Sequence, residues 1–175
     1  VCLALIVSTA LGHTRPLEEI RIASKKFTES VVVATLAAKL AASSGAQVTH
    51  RTELGGTRLL WDALLADQID MYPEYTGTLM SEIFAGEGVR DERSLDQALA
   101  RRGLRKSRPL GFSDAYALGM TPRRADEFGI TKISDLAGHR SLRFGLSDEF
   151  LSRVDGWPAL RSAYGLNGVD VRGLD

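Results

Sequence analysis

The sequence predicts an α/β fold, and three observations carry that expectation. Ile20-Arg21-Ile22-Ala23 and the run from Gln47 to Leu54 alternate with the two-residue period of half-buried strands. Val31 to Ala42 and Arg58 to Ala66 are apolar-faced runs of helical length. These four segments succeed one another as strand, helix, strand, helix, which is the α/β order.

Each element has local support. Val1 to Gly12 is an apolar run too short to span a bilayer, ends in small residues that suit a signal peptidase, and is followed at once by polar His13-Thr14-Arg15-Pro16. It is expected to be the remainder of a secretory signal (1-16), the competing reading being a first core strand. Cys2 is the only cysteine and lies inside that run, so no internal disulfide forms and the mature, exported protein is expected to be cysteine-free. After the strand at Ile20, Ser24-Lys25-Lys26-Phe27-Thr28-Glu29 leads into the first helix, with Thr28 as its expected N-cap and Glu29 in its first turn. Lys25 and Lys26 therefore fall at a strand's carboxyl end beside a helix N-terminus, a place that favours an anion, although a pair of solvated lysines fits the residues as well. Gly55-Gly56-Thr57 opens the second helix; it lacks dinucleotide-fingerprint spacing and a P-loop lysine, so a tight turn is expected there. His50 has no second metal-ligating side chain at suitable spacing, which points to a structural role.

Ile69 to Tyr72 is expected to be a short strand ending at Pro73. The ten residues Ile69 to Thr78 put two tyrosines, that proline and a threonine-rich helix start together. A loop at a strand's carboxyl end is where open α/β sheets hold ligands, but a turn whose tyrosines cap the core has the same composition. Leu79 to Phe84 continues helically to Gly86-Glu87-Gly88. Ser94-Leu95-Asp96-Gln97 is a capping box opening a helix that ends at Gly103, with Arg101 and Arg102 as solvated charges at its negative end. Leu104 to Thr121 is expected to be extended and to cross between two lobes, with Tyr116 near the crossing. Beyond it the pattern gives short helices at Arg123 to Phe128 and Ser134 to Gly138, a strand at Leu142 to Leu146, and a helix at Trp157 to Tyr164 closed by Gly165. Arg153, between a short capped helix and the turn Val154-Asp155-Gly156, is open to either a structural or a ligand-binding role.

The totals exclude several function classes. Among 175 residues, 22 basic and 22 acidic side chains balance to zero formal charge and are interspersed. No electrostatic footprint for nucleic acid or for a membrane surface results. His13, His50 and His139 have no serine or cysteine partner in a nucleophile motif, and Asp67, Asp70 and Glu74 look like helix-end and turn residues rather than an acid/base pair. A hydrolase ranks third among the functional expectations, and no cofactor is implied.

In order along the chain, Ile22-Ala23-Ser24-Lys25-Lys26-Phe27-Thr28-Glu29, Gly55-Gly56-Thr57, Asp70-Met71-Tyr72-Pro73-Glu74-Tyr75-Thr76-Gly77-Thr78, and Glu149-Phe150-Leu151-Ser152-Arg153 with Asp155-Gly156-Trp157 resemble the glycine betaine/choline/carnitine class of osmoprotectant-binding proteins of ABC importers. The resemblance runs from about Ile20 to the end. It implies a type II periplasmic-binding-protein fold, with the first lobe nearly complete (17-112) and a hinge strand and partial second lobe (113-175). Ligand in this class lies between the lobes, where tyrosine rings surround a quaternary ammonium head that has no hydrogen to donate and is held by cation–π attraction. Residue by residue, the resemblance makes Tyr75 and Tyr116 cage tyrosines, with Asp114 offering its backbone carbonyl. Thr78, Lys25 and Arg153 become donors to a ligand carboxylate, and Tyr72 is left as packing. Members of the class run on past the point matching Asp175, into further cage tyrosines and a strand returning to the first lobe. The expected function is the solute-binding subunit of an osmoprotectant importer, monomeric, extracytoplasmic and partnered by a membrane permease; the alternative is a non-binding remnant of such a protein.

Overall fold

The computed structural model describes residues 3–8 and 19–174. Cys2 and the polar residues 13–16, on which the export reading partly rested, lie outside them. The chain divides into two compact units, Val1–Asp114 and Ala115–Asp175.

Unit 1 is built on a five-stranded sheet. Its elements in chain order are β1 (Leu3–Ser8), β2 (Glu19–Lys25), α1 (Thr28–Ser43), β3 (Gln47–Gly55), α2 (Thr57–Leu65), β4 (Met71–Tyr75), the helical turn α3 (Thr76–Thr78), a π-helical turn Leu79–Ile83, α4 (Glu92–Ala100) and β5 (Leu104–Lys106). The strands lie in the order β3-β2-β4-β1-β5. β2 runs parallel to β3, with Ile22 opposite His50, and parallel to β4, with Ile22 opposite Met71. The carboxyl ends of β2, β3 and β4 therefore share one edge of the sheet, because each is followed by a helix that returns the chain to the opposite edge.

Residues 3–8, expected to lie within a signal remnant, form the strand β1. It pairs antiparallel with β4 from Leu3↔Tyr75 to Val7↔Met71 and with β5 from Ile6↔Lys106 to Ser8↔Leu104, so it occupies an interior position in the sheet. Leu3, Ala4 and Ile6 are buried, Ile6 at 0% exposure. The physical reason is that a central strand covered on both faces and a signal-peptide core ask for the same continuous apolar run. Hydropathy alone does not distinguish them.

Four smaller expectations shift. β4 continues through Pro73 to Tyr75 rather than ending at the proline, which sits opposite Leu5 of β1. The registered rung between β2 and β4 is Ile22↔Met71, so the proline interrupts no rung on that side. α1 begins at Thr28 itself, with Phe27 in the cap position and no side-chain cap. α4 begins at Glu92, earlier than the serine box suggested: Asp91 is the cap, its carboxylate accepting from Ser94 N at 2.8 Å while the Ser94 hydroxyl faces Asp91 in return. Arg102, expected to be solvated, lies 4.7 Å from the Phe84 ring centre and pairs with Glu87 at 2.7 Å.

The core of unit 1 gathers Ile6, Leu60, Leu64, Ile69, Tyr72, Leu79, Phe84, Leu95 and Leu99. Trp61 meets Phe84 edge to face at 5.5 Å. Asp67 and Asp70 are structural: Arg21 in β2 makes a two-pronged bond to Asp70 (Nη2 2.7 Å, Nε 3.1 Å) and reaches Asp67 at 3.2 Å, fixing the entry to β4.

Unit 2 contains α5 (Pro122–Phe128), a 3-10 turn (Ile133–Gly138), β6 (Arg143–Leu146), α6 (Asp148–Ser152), α7 (Trp157–Tyr164) and β7 (Asp170–Gly173). Residues 107–121 before α5 carry no helix or strand. β6 and β7 pair in parallel from Arg143↔Asp170 to Leu146↔Gly173. Leu136, Leu142, Leu146, Phe150, Trp157 and Leu166 form the core. Gly165, at φ 64°, closes α7 in the left-handed conformation that glycine adopts without strain. Among the described residues, no helix is long and apolar enough to cross a membrane.

Candidate functional site

In unit 1 the candidate residues converge at the carboxyl edge of the sheet. Lys25 is the last residue of β2, Gly55 the last of β3 and Tyr75 the last of β4. Lys25 lies opposite Gly55, and Lys26 N donates to Gly55 O at 3.2 Å, so the two strand ends are tied together. The Lys25 backbone N–H is taken by the Ser30 hydroxyl in the first turn of α1 at 3.0 Å.

The Lys25 side chain turns inward. Only 3% exposed, it donates from Nζ to Thr57 Oγ1 at 2.9 Å and to Glu74 Oε1 at 2.5 Å. Glu74 is 0% exposed, and the same Oε1 accepts the backbone N–H of Tyr75 at 2.8 Å. The Lys25–Glu74 pair thus joins the end of β2, the start of α2 and the last residue of β4. A buried pair of this kind is weak evidence for net stability, since desolvation offsets the Coulomb gain, but deleting one partner typically costs about 3–5 kcal/mol. The expected role of Lys25 as a donor to a ligand carboxylate meets a lysine already facing a carboxylate of its own chain.

Tyr75 is half-buried, its ring centre 6.0 Å from Lys25 Nζ. Burial pushes its hydroxyl pKa well up, and the nearby carboxylates of Glu29, Asp114 and Glu74 add to the rise, so the ring stays a neutral phenol. Thr78 is buried at the end of α3, three residues on. Asp114, exposed, is the last residue of unit 1. Tyr72, 0% exposed in the core, is packing.

In unit 2, Tyr116 is 58% exposed and lies against Phe150, with ring centres 4.6 Å apart. Burial of its hydroxyl end raises its pKa, helped by Glu149 and Asp155 and opposed by Arg153. Arg153 follows α6, whose first turn is capped by the Ser147 hydroxyl. Its guanidinium is buried and forked onto Asp155 (Nε–Oδ1 2.9 Å, Nη2–Oδ2 2.7 Å), with Glu149 at 3.5 Å. Tyr116, Ser147, Phe150, Asp155 and Gly156 line part of a cavity of ≈ 500 Å³ within this unit.

The structure places the sequence candidates Lys25, Tyr75, Thr78 and Asp114 in unit 1 and Tyr116 and Arg153 in unit 2. The sequence reading missed their partners: Glu74 and Thr57 around Lys25, and Phe150 and Asp155 around Tyr116 and Arg153. The signal for Glu74 was present as a carboxylate at one strand end facing a lysine at another. Among the described residues no His/Cys/Asp/Glu group suits a metal ion.

An α/β unit with polar and aromatic residues at the carboxyl ends of its strands, followed in sequence by a smaller α/β unit, has the organisation expected of a solute-binding protein. The model of the family "substrate binding domain of ABC-type glycine betaine transport system" matches residues 18–173, and the chain belongs to that family, one of solute-binding proteins rather than enzymes. It is similar to a glycine-betaine-binding protein of Pseudomonas aeruginosa, 32% identical over all of this chain and 61% of that protein. It is also similar to the glycine betaine-binding protein YehZ of Escherichia coli, 24% identical over 83% of this chain and 52% of the relative. The chain therefore spans between half and two thirds of the length of these relatives. A crystal structure titled as a glycine betaine/carnitine/choline ABC transporter shares the fold, with a TM-score of 0.55 at 18% identity over 91% of this chain and 62% of that one.

Proposed function

We propose that this chain captures a quaternary ammonium osmoprotectant of the glycine betaine, choline or carnitine class and delivers it to an ABC permease, acting as a monomer outside the cytoplasm. The observation that carries the reading is the placement of Tyr75 at the carboxyl end of β4, half-open and fixed by Glu74 through its own backbone N–H. That is where an α/β sheet offers a ligand site. In this reading the rings of Tyr75 and Tyr116 face the onium, which gains up to about 2 kcal/mol from each desolvated ring. Asp114 adds its backbone carbonyl, Thr78 and Arg153 face the ligand carboxylate, and Lys25, held by Glu74, stands beside the Tyr75 ring. Family membership and the glycine betaine named for the relatives support the substrate class.

Isothermal titration of the folded chain with glycine betaine, choline and carnitine tests it. Saturable heat with at least one of them is expected. No heat with any, while far-ultraviolet circular dichroism shows the protein folded, refutes the reading.

A further inference from the structure

Within each unit, the cation assigned to the ligand is already neutralised by the chain itself. Lys25 faces Glu74 at 2.5 Å in unit 1, and Arg153 is forked onto Asp155 at 2.7 and 2.9 Å in unit 2. The unit 1 pair is the more consequential, because Lys25 Nζ stands 6.0 Å from the centre of the Tyr75 ring. A ring that is to hold an onium has a resident cation beside it, and two cations competing for one ring repel each other unless one is compensated. Glu74, fully buried, supplies that compensation and holds the ring's backbone at the same time.

We infer that Glu74 is a specificity-determining residue of the site: by neutralising Lys25 next to the Tyr75 ring, it lets the site accept an onium that carries no carboxylate of its own. The inference rests on the functional reading above and adds a selectivity rule to it. Without the Glu74 charge, Lys25 repels the head of choline. Glycine betaine suffers the same repulsion at its head but recovers part of it through the attraction of its carboxylate to the uncompensated lysine. The ratio of the two affinities, rather than either alone, reports the effect.

The size follows from electrostatics. An uncompensated unit charge about 8 Å from another, at an effective dielectric of about 20, shifts an equilibrium by about thirtyfold. Partial exposure of the tyrosine reduces this, so a change of about tenfold or more in the ratio is the expectation. Glu74→Gln is the appropriate change because glutamine keeps an oxygen that can accept from Lys25 Nζ and Tyr75 N while removing the charge.

The experiment is titration calorimetry of the whole chain, as wild type, Glu74→Gln and the double variant Lys25→Met/Glu74→Gln, each with glycine betaine and with choline. Glu74→Gln is expected to weaken choline by about tenfold or more relative to glycine betaine. The double variant, with neither charge, is expected to return the ratio to within about threefold of wild type. If the two affinities fall together in Glu74→Gln, the residue only braces the turn and the inference is overturned. A double variant that loses glycine betaine selectively overturns it too, because Lys25 then contacts the ligand carboxylate whatever Glu74 does. Should Glu74→Gln fail to fold, Lys25→Met is read beside the double variant: choline gaining on glycine betaine in Lys25→Met but not in the double variant is expected, and an unchanged ratio in the first or the same gain in both is refuting. Wild type that binds neither ligand overturns the functional reading itself and this inference with it, an outcome distinct from wild type that binds while its variants leave the ratio unmoved.

Discussion

Replacing Ile6 by alanine tests whether residues 3–8 are part of the fold. Ile6 is 0% exposed, pairs with Tyr72 on one side and Lys106 on the other, and belongs to the same core as Leu60, Leu64 and Trp61. Ile6→Ala removes three side-chain carbons, worth about 2.4 kcal/mol of transfer free energy at about 0.8 kcal/mol each. The space left in a core that relaxes only partly raises the cost to about 3–4 kcal/mol. Each unit holds one tryptophan, Trp61 in the first and Trp157 in the second, so a Trp157→Phe background makes the fluorescence of Trp61 a reporter of unit 1 alone. Urea denaturation of Ile6→Ala in that background is expected to show the full loss with little change in slope. A loss under about 0.5 kcal/mol would refute the strand assignment and restore the expectation that the segment is a leader with no place in the sheet.

Other outcomes follow from the same geometry. Tyr75→Phe is expected to bind the cognate onium within about threefold of wild type and Tyr75→Ala to lose about tenfold or more, because the ring face and not the hydroxyl is used; calorimetry showing equal losses would refute the cation–π assignment. Asp91 is held below its usual 3.8, first by the Ser94 hydroxyl and then by the Ser94 N–H. Asp135 is lowered from the same value, chiefly by the Thr131 N–H. Their folded pKa values are below the unfolded ones, so the stability they contribute is present above about pH 4 and is lost as pH falls through the folded values. Melting temperatures measured from about pH 6 down to about pH 3 should therefore fall less steeply for Asp91→Asn/Asp135→Asn than for wild type. Gly156→Ala would place a methyl group on the Phe150 carbonyl oxygen at the turn that follows Arg153. It is expected to cost about 1–3 kcal/mol, visible in Trp157 fluorescence and absent from that of Trp61.

Most of the elements were legible because their signals are local. The period-two runs at β2 and β3 and the apolar faces of α1 and α2 each decide their own conformation, and the structure places them within a residue or two of expectation. What failed was of another kind. β1 was not anticipated because its apolar run fits two environments equally, and its pairing depends on whether β4 and β5 leave a position between them, which is information held 60 residues and more away. β7 was not anticipated because its pattern, one half-buried residue among exposed ones, carries almost no periodic signal and is fixed by pairing with β6. The start of α4 shifted for a different reason: Asp91 and Ser94 form the same reciprocal cap that serine and glutamine would have formed, one turn earlier.

The site was half legible, and the missing half follows a rule. Local pattern put Lys25 at a strand's carboxyl end and Arg153 beside a turn, although it ended β4 two residues short of Tyr75. It did not say what each charge faces, because that depends on strand order. Lys25 and Glu74 are 49 positions apart, and they meet only because β2 lies directly beside β4 with both strands pointing the same way. Had β3 been the neighbour of β4, the same lysine would have ended against Gly55 alone and been free to take an anion. A lysine at a strand's carboxyl end is therefore a candidate ligand donor only after the ends of the adjacent parallel strands have been checked for a carboxylate. Where one is found, the pair and not the lysine is the unit that a ligand meets, and selectivity depends on how firmly the chain's own carboxylate holds it.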